Sequence, residues 1–328
     1  MMTMAVMLAV GLLALLALSL HLDHLIGLLS YRKGAQEISP EGLEAYLQDA
    51  KETMAPDFAG QIMEPEEVVL ETIGQIPEVE QNVVNILLIG HDTRPGEGRA
   101  RSDTMLLCSL NQSTGELTMV SFLRDLYVHI PDYCDYKMNG AYAWGDMELL
   151  NETVLVNFGI EIHGDFAVSF SAFEAVIDRI GGVDIYLTSG EAAYLNRYRY
   201  CEGVNHLNGA DALRHARNRS VGDADFSRTS RQQAVIRAIV EKCKTMSIIE
   251  LNSLLESVLP MVETNMEPEQ LKGYTALLLP MIANLKLKDG LQIPAEGTYQ
   301  YAWVRDMSVL MPDLAENRKV LQEVIYGS

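Results

Sequence analysis

VVNILLIGHDTRPGEGRARSDTMLLCSLNQSTGELTMVSF, from Val83 to Phe122, is the stretch whose reading decides the fold. Val83–Ile89 is an apolar run of strand length, followed by a loop rich in glycine and charge over His91–Ser102. Asp103–Leu110 and Glu116–Phe122 are two further runs of the same kind, and Asn111–Gly115 between them has turn composition. The last two runs predict an antiparallel hairpin. Helix and strand patterns alternate downstream: helix over Asp146–Phe158, strand over Phe166–Phe170, helix from Ser171 to Gly181–Gly182, strand over Val183–Leu187. That order predicts an α/β fold, a three-layer α-β-α arrangement with a central mixed β-sheet flanked by helices.

Helical patterns continue over Gly209–His215 and Phe226–Lys244, where Ile236, Ile239, Val240 and Cys243 fall at the spacing of a buried face. Leu251–Val262 and Glu269–Leu285 are further amphipathic helices. Gln292–Leu310 reads as extended segments with a turn at Gly297, and Asp313–Tyr326 as a closing helix. No second linker follows Gln81, so residues 82–328 read as one catalytic domain, with motifs over 82–244 and a C-terminal extension over 245–328.

Twenty-five basic against 45 acidic residues give a net charge of −20, which argues against a nucleic-acid partner. Between Glu37 and Glu80 there are twelve acids and one base, Lys51, so residues 31–81 read as an acidic, solvated tether with one short helix over Pro40–Thr53. Residues 1–30 read as a transmembrane signal anchor, because Thr3–Leu20 is an uncharged run of 18 residues. A helical extension through His21–Ser30 lengthens the span. Arg32 and Lys33 follow the apolar run and no base precedes it, which by the Lys/Arg rule alone puts the bulk of the chain in the cytoplasm. Cys108 and Cys243 have core placements, whereas Cys134 and Cys201 lie in polar stretches and could pair in an oxidising compartment.

Three segments collect the chemistry. Asp92 follows the first strand and Asp103 opens the second; antiparallel strands put both carboxylates at one end of the sheet. Two hard oxygen ligands suit Mg²⁺ (or Mn²⁺) with positions left for phosphate oxygens. The Asn111–Gly115 turn returns the third strand beside the second, so Arg124 comes back to the end that holds Asp103. In the third segment, Arg217 and Arg219 are two apart, and Asp225, Arg228 and Gln232 share one helix face. Arginine forks suit a diphosphate, but the same segment is equally compatible with a solvated basic helix face. No nucleotide-binding, zinc-protease or serine-hydrolase motif occurs. His91 and His215 lie inside the segments as secondary candidates for substrate contact.

In order, NILLIGHDTR, RSDTMLLCSLN, VSFLRDLYVHIP, MNGAYAWGD, IDRIGGVDIYL, EGVNHLNGADALRHARNR and DFSRTSRQQ resemble the LytR–CpsA–Psr family over about Asn82–Lys244. The resemblance implies a membrane-anchored extracytoplasmic enzyme, mainly of Gram-positive bacteria. Such enzymes move a glycopolymer from a polyprenyl-diphosphate carrier onto peptidoglycan, releasing polyprenyl phosphate in cell-wall assembly. It implies Asp92 and Asp103 as Mg²⁺-associated aspartates, Arg101, Arg124, Arg217 and Arg219 as diphosphate contacts, and Asp225, Arg228 and Gln232 as the polar residues after them. His215 stands where the family often has an aromatic residue, and His91 where a small or aliphatic one is usual. The resemblance also implies an N-terminus inside and a domain outside, against the local charge count.

The implied reaction is attack by a hydroxyl of N-acetylmuramic acid on the sugar-linked phosphorus, with Asp92 or another carboxylate as base. The apolar stripes over Val154–Val183 and Val235–Val240 read either as core or as the lining of a lipid tunnel. Two other classes stay open: a non-catalytic membrane-anchored lipid-binding or regulatory protein, and a Mg²⁺-dependent lipid diphosphatase.

Overall fold

The computed structural model describes residues 22–31, 37–54, 58–73, 82–91, 102–218, 220–222, 227, 228, 230–232, 234, 235, 238, 239, 242, 245–278, 286–288 and 290–327. In chain order the elements are α1 (Leu22–Ile26), β1 (Ser30–Tyr31), α2 (Pro40–Asp49), β2 (Gln61–Ile62), β3 (Val83–His91), β4 (Ser102–Asn111) and β5 (Glu116–Phe122). There follow β6 (Tyr127–His129), β7 (Asp135–Lys137), α3 (Asn139–Phe158), β8 (Gly164–Ser169), α4 (Phe170–Arg179), β9 (Val183–Leu187), α5 (Ser189–Asn196), β10 (Gly203–Leu207) and α6 (Gly209–Ala216). The remainder are α7 (Ile248–Val258), β11 (Val262–Thr264), α8 (Pro268–Leu278), β12 (Lys286–Leu287), β13 (Leu291–Ile293), β14 (Tyr299–Val304), β15 (Met307–Pro312) and α9 (Leu314–Tyr326).

The residues of the chain gather into two compact units. One gathers Lys33–Leu87, Thr93–His163 and Lys286–Ser328; the other gathers Leu88–Asp92, Gly164–Leu285 and the residues up to Arg32. Neither unit is one continuous stretch, so no linker marks them in the sequence.

In the first of these units β4 and β5 form the predicted hairpin, with Met105 opposite Phe122 and Asn111 opposite Glu116. The turn forms because Asn111 Oδ1 accepts from the amides of Ser113 and Thr114, and Gly115 takes φ +70°. β12 and β13 add to β5 in parallel. The apolar residues of β4 and β5, with Ile293 of β13 and Phe158 and Trp144 of α3, are buried, and the rings of Phe122 and Phe158 lie 5.1 Å apart. α3 starts seven residues before its predicted start. Asp146 instead marks a kink at φ +62°, its own carboxylate accepting from the Met147 amide. β14 and β15 form a hairpin around Arg305 and Asp306, both at positive φ and neither the usual glycine or asparagine.

The acidic stretch is bound to this unit and is not a free tether over its described residues. β2 pairs in parallel with β14, Ile38 N donates to Trp144 O at 2.8 Å, and Ile73 N donates to Val156 O at 2.8 Å. The acids of the stretch remain largely exposed, so the charge is solvated while the backbone is held.

In the other unit β1 runs parallel to β11, and β11 antiparallel to β8. α4, α5, α6 and α7 each begin at a side-chain cap: Ser169, Thr188, Asn208 and Ser247. Ile239 of the predicted face is buried, as is Val235, while Ile236, Val240 and Cys243 lie outside the described residues. Helix α1 ends at Ile26, and Ser30 already belongs to a strand, so the expected helical extension to Ser30 does not form; Leu25, Ile26 and Leu29 are buried instead. The apolar run Thr3–Leu20 lies outside the described residues. No described helix is long and apolar enough to cross a membrane. Cys108, Cys134 and Cys201 are free thiols, so the Cys134–Cys201 pairing is not made.

Candidate functional site

Extending the hairpin register by two residues sets Asp103 opposite Arg124, and the side chains meet there. Arg124 Nη1 donates to Asp103 Oδ1 at 2.8 Å. The backbone that carries Arg124 is held on several sides. Asn139 N donates to Arg124 O at 3.3 Å, Leu310 N to Asp125 O at 2.9 Å, and Met138 N to Leu126 O at 2.8 Å.

The guanidinium is also held through its other edge. Arg124 Nε lies 3.3 Å from Asp125 Oδ2, Asp125 Oδ1 lies 3.1 Å from Lys137 Nζ, and Lys137 Nζ lies 2.6 Å from Glu52 Oε1. Glu52 Oε2 in turn accepts from Ser308 N at 3.2 Å. A chain of alternating charge thus joins the acidic N-terminal stretch to Arg124. Such a chain keeps the guanidinium oriented when one of its partners is occupied elsewhere. Asp125, Lys137 and Glu52 escape sequence reasoning. The one visible signal is a lysine set within the apolar and aromatic run that leads into α3.

The other unit carries Arg217, Arg228 and Gln232. Arg217, exposed at the C-terminus of α6, lies with its guanidinium 4.4 Å from the centre of the Phe170 ring. Arg228 and Gln232 are 6% and 3% exposed, and Gln232 Nε2 makes a long contact to Ala216 O at 3.5 Å. A solvated helix face therefore describes Arg214 and Arg217 but not Arg228, Arg231 or Gln232. Asp92, Arg101, Arg219 and Asp225 lie outside the described residues.

Arg231, which no spacing argument singled out, organises the loop after Arg217. Its guanidinium donates to Glu191 Oε1 at 2.5 Å, to Asn218 O at 2.7 Å and to Val221 O. Glu191 is the third helical residue of α5 and closes its capping box by accepting from the Thr188 amide at 2.9 Å. Burial alone would raise the Glu191 carboxyl, but the Thr188 amide and Arg231 outweigh it and hold the group below the usual carboxylate range. T-x-x-E is legible as a cap in the sequence; its second use as a partner for Arg231 is not.

His215 lies in the same cluster, 1% exposed, and its Nδ1 has no hydrogen-bond partner among the described residues. Burial pushes its pKa down to about 4, with the nearby Arg231 acting the same way and Glu191 opposing. His215 is therefore buried and neutral at neutral pH. His91 is likewise buried, at 3% exposed, at the end of β3.

Residues 45–322 match the LytR_cpsA_psr family. The chain is 33% identical over 201 residues to a polyisoprenyl-teichoic acid–peptidoglycan teichoic acid transferase TagU of Oceanobacillus iheyensis, a match that covers 59% of this chain and 62% of that protein. It is 29% identical over 227 residues to the regulatory protein MsrR of Staphylococcus aureus, covering 68% of each. Among solved structures it is similar to the LytR-CPS2A-psr family protein YwtF (TagT) with bound octaprenyl pyrophosphate lipid. That likeness has a TM-score of 0.56 and 25% identity, over 79% of this chain and 100% of that one. With a mixed α/β fold whose central mixed sheet is flanked by helices, and with a family match over most of its length, this chain belongs to the LytR_cpsA_psr family.

Proposed function

We propose that this protein is a phosphotransferase that moves a glycopolymer from a polyprenyl-diphosphate carrier to a peptidoglycan hydroxyl in cell-wall assembly. The observation that carries this reading is the Arg124–Asp103 pair, fixed at 2.8 Å at the open end of the hairpin, where the backbone of Arg124–Leu126 is pinned from several sides. It is supported by the names of the relatives, one a teichoic acid transferase and one a lipid-diphosphate complex.

The acceptor hydroxyl, that of N-acetylmuramic acid, attacks the sugar-linked phosphorus. The bond from that phosphorus to the bridging oxygen breaks, and polyprenyl phosphate leaves with the bonding electron pair. Arg124, with Arg101, Arg217 and Arg219, stabilises the charge that builds on the diphosphate oxygens. Asp225, Arg228 and Gln232 are carried over with them as the polar residues that follow Arg217 and Arg219 in the family's pattern. The acceptor proton passes to a carboxylate, Asp92 being the candidate.

Asp103 fits a divalent ion in part. One of its oxygens is engaged by Arg124 and the side chain is 26% exposed. Asp103 and Asp92 are the hard oxygen donors that would hold Mg²⁺ or Mn²⁺. Bound there, the ion would neutralise charge on the diphosphate. The run Thr3–Leu20 anchors the protein in the cell membrane with its domain outside.

The regulatory name of one relative favours a second reading, in which the same scaffold binds the lipid without turnover. One assay separates the readings. The full chain in detergent is incubated with labelled polyprenyl-diphosphate glycopolymer, Mg²⁺ and peptidoglycan. Label on peptidoglycan is the expected result. Label freed into solution means hydrolysis, and label left on bound lipid means binding only; either overturns the transferase reading.

A further inference from the structure

Around Arg217 the structure repeats one local device. Four guanidinium groups lie over aromatic rings: Arg217 over Phe170 at 4.4 Å, Arg214 over Tyr194 at 5.4 Å, Arg199 over Tyr200 at 5.1 Å and Arg197 over Tyr198 at 4.9 Å. They are not scattered. Arg214 and Arg217 are three apart at the end of α6 and so share a face. Arg214 Nη2 donates to the backbone of Tyr194 at 3.1 Å, and Tyr194 and Tyr198 are four apart at the end of α5. Arg199 closes the set by pairing with Asp211 of α6 at 3.0 Å. The result is a track from Arg217 along α6 to the end of α5.

The track is a surface, and it is exposed. Arg197, Tyr198, Arg199, Arg214 and Arg217 are all solvent-facing, with Tyr198 87% exposed. Beside it the β9–β10 ribbon presents Tyr186 and, opposite it in register, Val204 at 61% and 72% exposure. Acids that could cancel the charge are spent or few. Glu191 is buried against Arg231, and Asp211 is held by Arg199 and the Tyr200 hydroxyl. Of the acids between Tyr186 and Arg217, that leaves Glu202 exposed at the ribbon turn. In a chain of net charge −20, these four arginines make a local cationic surface, although Arg199 is paired with Asp211 and the ribbon also exposes Asp184, which is bound to His206. Each guanidinium is held against a ring, and Arg214, Arg199 and Arg197 are further held by one N–H each, on Tyr194 O, Asp211 and the Tyr198 hydroxyl, so each loses less freedom on meeting an oxyanion than a free side chain does. Of the tyrosines beside these cations Tyr198 is exposed and Tyr194 half-buried, and with Tyr186 of the ribbon they suit sugar or polyol segments between charges.

We propose that this track binds the phosphodiester backbone of an anionic glycopolymer, with the chain end nearest the carrier diphosphate at Arg217. The proposal rests on the transferase reading for the identity of that end, and adds to it a surface that grips the polymer beyond the diphosphate. An arginine fork takes carboxylate and phosphate alike. Phosphate is assigned here because the end of the track at Arg217 is read as meeting a diphosphate, and hexaglutamate separates the two groups in the test.

The test uses the full chain in detergent and two probes. Fluorescently labelled glycerol-phosphate oligomers, monomer and hexamer, report on the track by anisotropy at fixed salt, and farnesyl diphosphate reports on the diphosphate end. The hexamer is expected to bind about tenfold or more tighter than the monomer. Arg197→Gln with Arg214→Gln should remove most of that gain and leave farnesyl diphosphate binding unchanged. The lysine pair, Arg197→Lys with Arg214→Lys, should restore only part of it. Equal hexamer affinity in the parent and the glutamine pair overturns the proposal, as does equally tight, equally arginine-dependent binding of hexaglutamate. If farnesyl diphosphate fails to bind the parent while the hexamer still depends on Arg197 and Arg214, the transferase reading falls and the track stands.

Discussion

Lys137 Nζ lies 3.1 Å from Oδ1 of Asp125, and the other oxygen of that carboxylate accepts the Nε of Arg124 at 3.3 Å. The lysine side chain is 9% exposed, so its charge is compensated by Asp125 and Glu52 rather than by water. Lys137→Met leaves both acids without their cation and lets Asp125 draw Arg124 alone. Because the acids are partly exposed, we expect a loss of about 2 kcal/mol in a urea titration. Transfer kinetics should show a fall in kcat larger than any rise in KM. Lys137→Arg should recover most of both. An unchanged kcat in Lys137→Met would remove Lys137 as a positioning residue.

Truncation before residue 82 is expected to harm the protein rather than trim a spacer. It removes β2 from β14 and Glu52 from Lys137. Each lost hydrogen bond is worth on the order of 1 kcal/mol, so several together should lower Tm by several degrees. Glu52→Gln alone, with its side chain 42% exposed, should cost under about 1 kcal/mol. A truncated protein that melts with the parent would show that the N-terminal stretch contributes nothing to the unit.

Arg231→Met is expected to cost about 3–5 kcal/mol, because it strands the Glu191 carboxylate at 8% exposure. Asn218 and Val221 lose their donor in the same step, so cleavage in the Ser220–Gly222 loop should become faster under limited proteolysis. Glu191→Gln keeps an acceptor and should cost much less. Parent-like proteolysis in Arg231→Met would contradict the pinning role.

His215 makes stability depend on pH. The folded protein keeps it neutral down to about pH 4, whereas the unfolded chain protonates it near 6.5. Its contribution is therefore fully present above the unfolded value and lost as pH falls through the window between the two. At 1.36 kcal/mol per unit this amounts to about 3 kcal/mol. His215→Gln should flatten that part of the stability profile relative to the parent. Parallel profiles for the two proteins would rule the histidine out.

Asp103→Asn and Arg124→Ala should each lower transfer by about a hundredfold or more with near-parental melting. Chelation of divalent ions should lower transfer in the parent, and added Mg²⁺ should restore it. Asp103→Asn is expected to need more Mg²⁺ for half-maximal rate. Full activity in either variant takes that residue out of the centre.

Much of this was legible in the residues. The β4–β5 hairpin follows from two apolar runs around an Asn-Gly-bounded turn, and Glu116–Phe122 and Val183–Leu187 have the boundaries their patterns predict. Asp103 and Arg124 were legible as neighbours because antiparallel register is arithmetic once the turn is known. The start of α3 was not, since Asp146 looks like a helix start and is a kink within a longer helix. Nor was the Arg305–Asp306 turn, where the surrounding hairpin imposes positive φ on residues that do not favour it.

Sequence by itself determined the α/β pattern, the family and the hairpin pair, because periodicity, turn chemistry and register are local and repeat along the chain. It could not determine what lies against what across long separations. The acidic stretch read as solvent-borne charge because twelve acids cannot be buried, and indeed they are mostly exposed. Whether its backbone was held depended on the distant strand β14, whose Ala302 pairs with Gln61, and on a lysine that needs Glu52. Arg231 likewise looks like one more surface arginine until tertiary packing takes it out of water. Once there, only a carboxylate and carbonyls at its three donor positions make its burial tolerable.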